Sequence, residues 1–329
     1  MRELIRTLVT AYGPSGVEDQ VRDVIHAEVE SLVDEIRVDP MGSLIAHKQG
    51  GERRIVLCAH MDEIGVMVSY VDEKGFARFT PIGGVSALTC IGTRVAFADG
   101  TPGVIGIEGK RDRSKLPRLD QLYIDVGATS RDDCPVQIGD AAVFVRPFAH
   151  TDGAQGARLI AKAMDDRIGC AVLIETLRRL EHTPYDAYFV FSVQEEVGLR
   201  GARAAAYGID PDLAIAVDIT ATGDTPESHP MEVELGKGPA IKIKDRRMIA
   251  HPTIRDMLIQ RAKQANIPFQ REILELGSTD AAAMQLVRAG VPAGCVSIPC
   301  RHVHTPSEMV DEQDVENSVR LLLEVLQTE

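Results

Sequence analysis

Apolar runs of strand length alternate with helical patterns over much of this chain, and that alternation constrains its fold most. Ile55–Ala59 form an unbroken apolar run, which is typical of a strand buried on both faces of its sheet. After His150, the apolar runs AYFVFSV, LAIAVDI and PAGCVSI alternate with helical patterns at 166–180, 252–266, 280–289 and 311–326. The sequence therefore predicts an α/β fold, with a mostly parallel sheet covered by helices on both faces.

A different pattern interrupts this alternation between about Val66 and Ala149. Short alternating segments such as FARFTPIGG and AAVFVRPFA are separated by Gly, Pro and Asp turns, with little helical periodicity. We predict an inserted all-β domain over 66–149 and a main domain formed by 1–65 and 150–329. Near its start, the main domain contains an amphipathic pattern over 15–35 with Ser15 and Glu18 at capping-box spacing.

Charge, the length of apolar runs and cysteine spacing argue against nucleic acid, membranes and thiolate metal sites. The 329 residues include 36 Lys and Arg against 49 Asp and Glu, a net charge of −13, and no stretch concentrates basic residues, so we expect no nucleic-acid partner. No run approaches membrane-spanning length, so we expect no membrane association and a cytoplasmic protein. The six cysteines contain no C-x-x-C, so a metal would have to be bound by histidines and carboxylates.

Side chains that can bind metals follow the predicted strands. The carboxyl ends of strands are where an open α/β sheet gathers its ligand-binding groups. Imidazoles combined with several carboxylates and no thiolate form the donor set of a hydrolytic zinc, cobalt or manganese centre. The candidates are His60, Glu195, Glu196, Asp218, His302 and His304, joined by Asp165 and Asp166 at the start of a helix.

Local spacing predicts separate roles for some of these residues. In H-x-D, Asp62 can lie on the same side of an extended chain as His60 and orient its ring. A rigidly anchored carboxylate such as Asp165 can bridge two metal ions about 3.5–4 Å apart. Of the paired glutamates, Glu196 would bind a metal, while Glu195 would take a proton from water and pass it to the leaving amine.

Each feature also has an ordinary structural interpretation. An Asp pair that opens a helix is commonly an N-cap with a neighbour favoured by the helix dipole. Adjacent glutamates usually lie on a solvated surface, and a histidine beside a buried strand is commonly a hydrogen-bonded core residue. These interpretations would require five distant segments to carry metal-type donors at strand ends independently. A dinuclear centre accounts for all five together.

Five motifs, in content and in order, resemble those of the dinuclear metallo-aminopeptidases of peptidase family forty-two: AHMDEIG, KAMDDRIG, QEEVGLRGA, AVDIT and RHVHTPSE. These enzymes are also called tetrahedral, or TET, aminopeptidases and include glutamyl and leucyl aminopeptidases. The resemblance covers nearly the whole chain. It implies a catalytic domain like that of other zinc exopeptidases, a β domain for dimerisation or oligomerisation, and commonly a homo-oligomeric dodecamer that admits peptides.

The resemblance also implies a cofactor and a role for each donor. It implies two divalent metal ions per subunit, zinc or cobalt by preference, with manganese also compatible. Glu195 matches the general base of the family and Asp62 the carboxylate behind the first histidine. The implied ligands are His60 and Asp218 for one metal, Glu196 and His304 for the other, and Asp165 as the bridge.

Two further residues keep alternative interpretations. Where the family leads us to expect tyrosine before the last ligand, this chain has His302, and R-H-V-H would direct two imidazoles to one side if extended. His302 is then an outer partner, a substrate contact or an alternative ligand, although the family pattern favours His304. Asp280, in the family-like segment LELGSTDAAAMQL, either lines the substrate site or caps the following helix.

We therefore expect a metal-dependent aminopeptidase, with three alternatives. A carboxylate pair can also cleave sugars, but a chain with no Trp and 4% aromatic residues offers little stacking surface for a glycosidase cleft. A non-catalytic assembly or binding protein is disfavoured because donors are intact at all five ligand positions. A carboxypeptidase or amide deacylase on the same scaffold is not distinguished by these residues.

Overall fold

The computed structural model describes residues 1–112, 114–153 and 156–328. Their strands are β1 (Glu35–Val38), β2 (Leu44–Lys48), β3 (Arg53–His60), β4 (Gly65–Val71), β5 (Ala77–Ile82), β6 (Arg94–Phe97), β7 (Pro102–Ile107), β8 (Leu122–Asp125), β9 (Ala141–Phe144), β10 (Ala149–Gly153), β11 (Gly156–Ala161), β12 (Tyr185–Ser192), β13 (Leu213–Thr220), β14 (Ala240–Lys244), β15 (Gln270–Ile273), β16 (Ala293–Arg301) and β17 (Glu308–Asp311). Their helices are α1 (Arg2–Thr10), α2 (Asp19–Val29), α3 (Ala87–Cys90), α4 (Met164–Arg179), α5 (Arg200–Ile209), α6 (Pro252–Gln264), α7 (Ala281–Met284) and α8 (Glu312–Leu326), with a 3-10 turn at Leu119–Gln121. None of these helices is long and apolar enough to cross a membrane.

The large sheet is mixed. Its four central strands, in the order β12–β3–β13–β16, run parallel. On one side β2 and β1 continue the sheet with antiparallel pairing, and on the other β17, β11 and β10 do the same. β14 pairs with β16 in the antiparallel sense and with β15 in the parallel sense, so the expectation of a mostly parallel sheet holds for the centre and for β14–β15 but not for the flanks. Strands joined by a short connection, as β1 and β2 are, can pair only in the antiparallel sense.

Helices cover both faces of this sheet. Ile55 and Leu57 of β3 face a core shared with α1, α2, α4, α6 and α8. Val56 and Cys58 of the same strand face a second core, which is shared with α5 and α7. Because both sets of alternate side chains are buried, the central strands are apolar without interruption, as the run Ile55–Ala59 indicated.

The segment between β3 and β10 forms a closed six-stranded barrel with the order β4–β5–β8–β7–β6–β9. Val66, Phe79 and Ile105 are among the buried residues of its separate core. The barrel begins at Gly65 and its last strand ends at Phe144, while β10, from Ala149, pairs within the large sheet. The barrel is therefore attached close to the carboxyl end of β3.

The second helix begins later than its sequence pattern indicated. The interpretation of Ser15 and Glu18 as a capping box is wrong, because α2 begins at Asp19 and neither side chain caps it. The Ser15 hydroxyl donates to Asp62 Oδ2 at 2.6 Å, and Glu18 Oε1 accepts the backbone N–H groups of Gly16 and Gln194 at 2.7 and 3.2 Å. Both side chains thus connect this segment to the loops that follow β3 and β12.

Candidate metal centre

The sequence-predicted donors meet at the carboxyl edge of the four central parallel strands. His60 is the last residue of β3, and Asp218 lies near the end of β13. The other donors come from the loops after β12 and β16 and from the start of α4: Glu195, Glu196, His304 and Asp165. Residues from five chain segments therefore converge because parallel strands end at the same edge of the sheet.

Asp165 lies between the two imidazoles. Its Oδ1 is 3.0 Å from His60 Nε2, and its Oδ2 is 3.2 Å from His304 Nε2. Asp218 Oδ1 is 3.9 Å from His60 Nε2 on one side, and Glu196 Oε1 is 3.4 Å from His304 Nε2 on the other. The cluster thus has two halves, each with one imidazole and one carboxylate, and Asp165 contributes one oxygen to each half.

The start of α4 has a backbone that directs its two aspartates differently. Asp165 and Asp166 have non-helical φ and ψ values within the helix bounds. The N–H of Asp165 is held by Glu308 Oε2 at 3.1 Å. Asp166 accepts the N–H of His60 at 3.3 Å and that of Gly169 at 3.0 Å. Asp165 therefore faces the two imidazoles, whereas Asp166 holds the backbone of β3 at His60 and that of α4 at Gly169.

The site concentrates negative charge where little water can solvate it. Burial raises the pKa of Asp218 well above its ordinary value, with His60 opposing the shift and the charge of Asp165 adding to it. Burial also raises the pKa of Glu196, and Asp165 contributes further. Burial alone would lower the pKa of His304, but the neighbouring carboxylates of Asp165 and Glu196 raise it to about 12. These carboxylates would therefore gain from a bound cation.

The donors fit divalent metal ions. Ligand atoms of His60, Asp165 and Glu196 lie within 4.8 Å of one another, as do those of His60, Asp166 and Asp218. Glu196 Oε1 is buried and makes no hydrogen bond among the described residues, since His304 Nε2 lies 3.4 Å away outside hydrogen-bond geometry, so one strong acceptor is unused. Imidazole nitrogens and carboxylate oxygens without thiolates are a donor set that suits zinc, cobalt or manganese.

Asp62 lies beneath the cluster and is fully buried. His60 Nδ1 is 3.1 Å from the backbone oxygen of Asp62 and 3.5 Å from its carboxylate. The carboxylate itself accepts the backbone N–H of Glu195 at 3.0 Å and that of Glu196 at 3.3 Å. Asp62, which was predicted to orient His60, therefore also fixes the backbone of the paired glutamates.

The structure places His302 and Asp280 outside the wall of the cleft. His302 and His304 both have positive φ, 61° and 59°, so the chain turns and His302 is left exposed while His304 enters the cleft. Asp280 precedes α7 without capping it through its side chain. Its Oδ2 instead accepts bonds from Ser192 Oγ at 2.5 Å and Cys58 Sγ at 3.4 Å, beneath the strands that carry the donors. Burial raises the pKa of Asp280 to about 6.

The donors line a cleft with a volume of about 1130 Å³. Sequence reasoning missed several of its wall residues, notably Gly84 from the barrel and the exposed Arg246 and Arg247, whose guanidinium groups form no ion pair among the described residues. The two glycines of PIGG were the only sequence signal for the barrel contribution. A second cavity of about 1070 Å³ shares Ala221, Leu274 and Leu276 with the cleft but contains none of the donors.

Comparison with known proteins supplies relatives that extend over nearly the full chain. A putative aminopeptidase of Acetivibrio thermocellus is 50% identical over 328 residues, covering 99% of this chain and 98% of the relative. The solved aminopeptidase of the archaeon Desulfurococcus kamchatkensis superposes with a TM-score of 0.95 at 39% identity, covering 99% of this chain and 94% of that one. The TET1 peptidase of Pyrococcus horikoshii superposes with a TM-score of 0.89 at 31% identity, covering 100% and 99%.

These relatives place the chain in the class of aminopeptidases, hydrolases that release residues from the amino termini of peptides. A family model described as M42 glutamyl aminopeptidase matches residues 42–321, and the chain belongs to this family. The expectation of an aminopeptidase is thereby confirmed over the glycosidase and non-catalytic alternatives. Divalent metal ions are typical of the family.

Proposed function

We propose that this aminopeptidase uses two divalent metal ions, with Asp165 as the bridging ligand. The observation that carries the proposal is the position of Asp165, whose two carboxylate oxygens face two different imidazoles at 3.0 and 3.2 Å. When bound, the two ions would supply Lewis acidity for the scissile carbonyl and a nucleophilic water at neutral pH. Zinc and cobalt suit the donors best, and manganese is also compatible. The proposed terminal ligands are His60 and Asp218 for one ion, and Glu196 and His304 for the other.

Glu195 is the proposed general base. It lines the cleft beside the cluster, and the bond from its N–H to Asp62 fixes its backbone. Burial raises the pKa of Glu195 well above its ordinary value, so its carboxylate is a better proton acceptor than one in water. It would take a proton from the attacking water, whose oxygen bonds to the carbonyl carbon, and deliver that proton to the nitrogen of the departing amine.

The decisive experiment is hydrolysis of aminoacyl-p-nitroanilides with a free or an acetylated amine. We expect cleavage of the free-amine substrates only, loss of activity on chelation, and recovery when zinc or cobalt is returned. This pattern also separates an aminopeptidase from an amide deacylase, which would cleave the acetylated compounds. Activity that is unaffected by complete removal of metal would refute the two-metal mechanism.

Two variants test the proposed residues separately. Glu195→Gln should lower kcat by at least about 100-fold, the range for loss of a general base, while the protein keeps two metal ions. Asp165→Ala should lose metal, measured by elemental analysis of the dialysed protein. Glu52→Gln, at an exposed position, is the matched control and should behave as the parent. A Glu195→Gln enzyme with the parental rate would exclude Glu195 as the base.

We further propose that the chain forms a homo-oligomer in which the barrel supplies subunit contacts. The support is that the Pyrococcus horikoshii TET1 peptidase can assemble into a tetrahedron or a large octahedral shell. Peptides are the proposed substrates. The proposed location is the cytoplasm, a reducing compartment that suits the six free cysteines.

A further inference from the structure

Two consecutive glycines of the barrel lie against the metal centre. Gly83 and Gly84 follow β5, and Gly84 lines the catalytic cleft. A Cβ atom added to Gly84 would lie 2.3 Å from His304 Nδ1 and 2.7 Å from its Cε1. A Cβ added to Gly83, whose φ is +74°, would lie 2.9 Å from Glu196 Oε2. Both approaches are closer than a side chain permits, so the barrel backbone packs directly on these two side chains.

The contact with Gly84 involves Nδ1 and Cε1 of the His304 ring. His304 Nε2 points to Asp165 and Glu196, whereas the Nδ1–Cε1 edge meets Gly84. The His304 side chain is 36% exposed, and its backbone N–H donates to Glu308 Oε1 at 2.8 Å. The backbone at Gly84 therefore packs against the ring and limits its rotation away from Asp165.

We propose that Gly83 and Gly84 are positioning residues, through which the inserted barrel completes one of the two metal sites. The proposal rests on the assignment of His304 and Glu196 as ligands under the proposed function. Both glycines contact ligands of the same ion. Through these two glycines the barrel therefore acts on one of the two metal sites.

The second pair of ligands is held without the barrel glycines. His60 is fixed through Nδ1 by the backbone oxygen of Asp62 at 3.1 Å and through its N–H by Asp166 at 3.3 Å. Asp218 lies within β13, at the centre of the large sheet. A change at Gly84 should therefore weaken one ion per subunit and leave the other bound.

Gly84→Ala tests this selectivity. The φ of Gly84 lies outside the positive range, so the backbone conformation at this position is compatible with alanine. In buffers of fixed free zinc, we expect the affinity of one ion to fall by about 10- to 100-fold, the range for loss of an outer partner, and that of the other to stay unchanged. The thermal midpoint of the metal-free protein should match that of Gly109→Ala. Gly109 is an exposed barrel glycine with nothing within 4 Å of an added Cβ.

A double-mutant cycle with His304→Ala keeps the test decisive. Once the ring is removed, Gly84→Ala should cost no further zinc affinity, and a Gly84→Ala protein that misfolds should fold again. Persistent misfolding of the double variant, or two ions bound by Gly84→Ala as tightly as by Gly109→Ala, would overturn the positioning role. If His304→Ala itself keeps both ions at parental affinity, the ligand assignment fails instead, and the inference fails with it.

Discussion

One carboxylate, that of Asp62, connects three chain segments at the residue scale. It accepts bonds from the Ser15 hydroxyl and from the backbone N–H groups of Glu195 and Glu196. The H-x-D spacing predicted that Asp62 lies near His60, because residues two apart share one side of an extended chain. Its contact with the paired glutamates joins residues more than 130 positions apart, which local spacing does not encode. Local geometry is therefore readable from sequence, whereas this long-range contact is not.

Replacing Asp62 should impair catalysis without unfolding the protein. Asp62→Asn keeps the shape of the side chain but removes its charge. It also turns an NH₂ group toward N–H and O–H donors, so the loop that carries Glu195 loses hydrogen bonds that hold its backbone. We expect kcat to fall by about 10- to 100-fold, typical of partners behind a metal site. Asp39→Asn is the control, since Asp39 also accepts two backbone N–H groups, from Met41 and Ser43. Equal kcat values for the two variants would contradict the role of Asp62.

The ion pair between Asp224 and Arg301 should make stability depend on acid pH. Arg301 Nη2 and Nε contact the two carboxylate oxygens at 2.6 and 2.9 Å, and although burial alone would raise the pKa of Asp224, this pairing lowers it to about 2. A carboxylate with a depressed pKa in the folded protein stabilises the fold at pH values above its pKa in the unfolded chain, about 3.9 for Asp. This stabilisation is lost as the pH falls toward 2. The pair also anchors the end of β16, just before His304.

Asp224→Asn should therefore reduce the free energy of unfolding by roughly 1 kcal/mol at pH 7, as expected for a partly exposed bidentate pair. The difference from the parent should shrink between pH 4 and pH 2, measured by urea unfolding at each pH. Asp256→Asn, which removes the exposed pair with Arg255, should change stability little. A difference that is constant with pH would show that the charge of Asp224 is not the cause.

At the scale of elements, Arg167 connects α4 to the end of α1. This fully buried guanidinium donates to the backbone oxygens of Leu8, Ala11 and Gly13 at 2.7, 3.2 and 3.1 Å. It also lies 3.3 Å from Glu63, which binds Lys162 at 2.7 Å. The hydrogen bonds of Arg167 satisfy carbonyl groups at and after the carboxyl end of α1. Its ion pair with Glu63 connects the segment that follows His60 to the helix that carries Asp165.

Arg167→Met should lower the free energy of unfolding by about 3–5 kcal/mol, because it removes one partner of a buried charged network and leaves buried carbonyl groups unpaired. Arg179→Met is the matched control on the same helix. Arg179 is 37% exposed and pairs with Glu316 at the surface, so its loss should cost less than about 1 kcal/mol. Urea unfolding of both variants measures the contrast, and equal costs would contradict the structural role of Arg167.

How far the sequence predicts the elements depends on whether their signals are local. The central strands were readable because each is an apolar run followed by polar donors, as in Ile55–His60. The antiparallel flanks of the sheet were not, because pairing such as that of β16 with β17 is decided by tertiary contacts. His302 shows a further limit, because the chain turns at His302 and His304, which both have positive φ, whereas an extended chain would have directed the two side chains to one side.

At the scale of the whole molecule, the proposed oligomer can be measured by light scattering coupled to gel filtration. We expect a mass near twelve times the 35.8 kDa of one chain. If the barrel supplies contacts, Leu88→Glu combined with Ile138→Glu should reduce that mass, because these barrel side chains are 58% and 67% exposed and a buried charge opposes association. Met41→Glu, outside the barrel, is the control. A single chain in solution would refute the proposal of an oligomer and leave the aminopeptidase assignment intact.

The insertion of the barrel between β3 and β10 has a consequence for synthesis on the ribosome. The barrel closes within one continuous stretch, Gly65–Phe144, so its pairings form as soon as that stretch has emerged. Its neighbour β3 must wait, because Arg53 pairs with Tyr185 and Ile55 with Leu213. Long-range pairing of this kind is slow and leaves an apolar strand unpaired in the nascent chain. The barrel should therefore mature first, and Ile55–Ala59 should be the segment most in need of chaperone protection during translation.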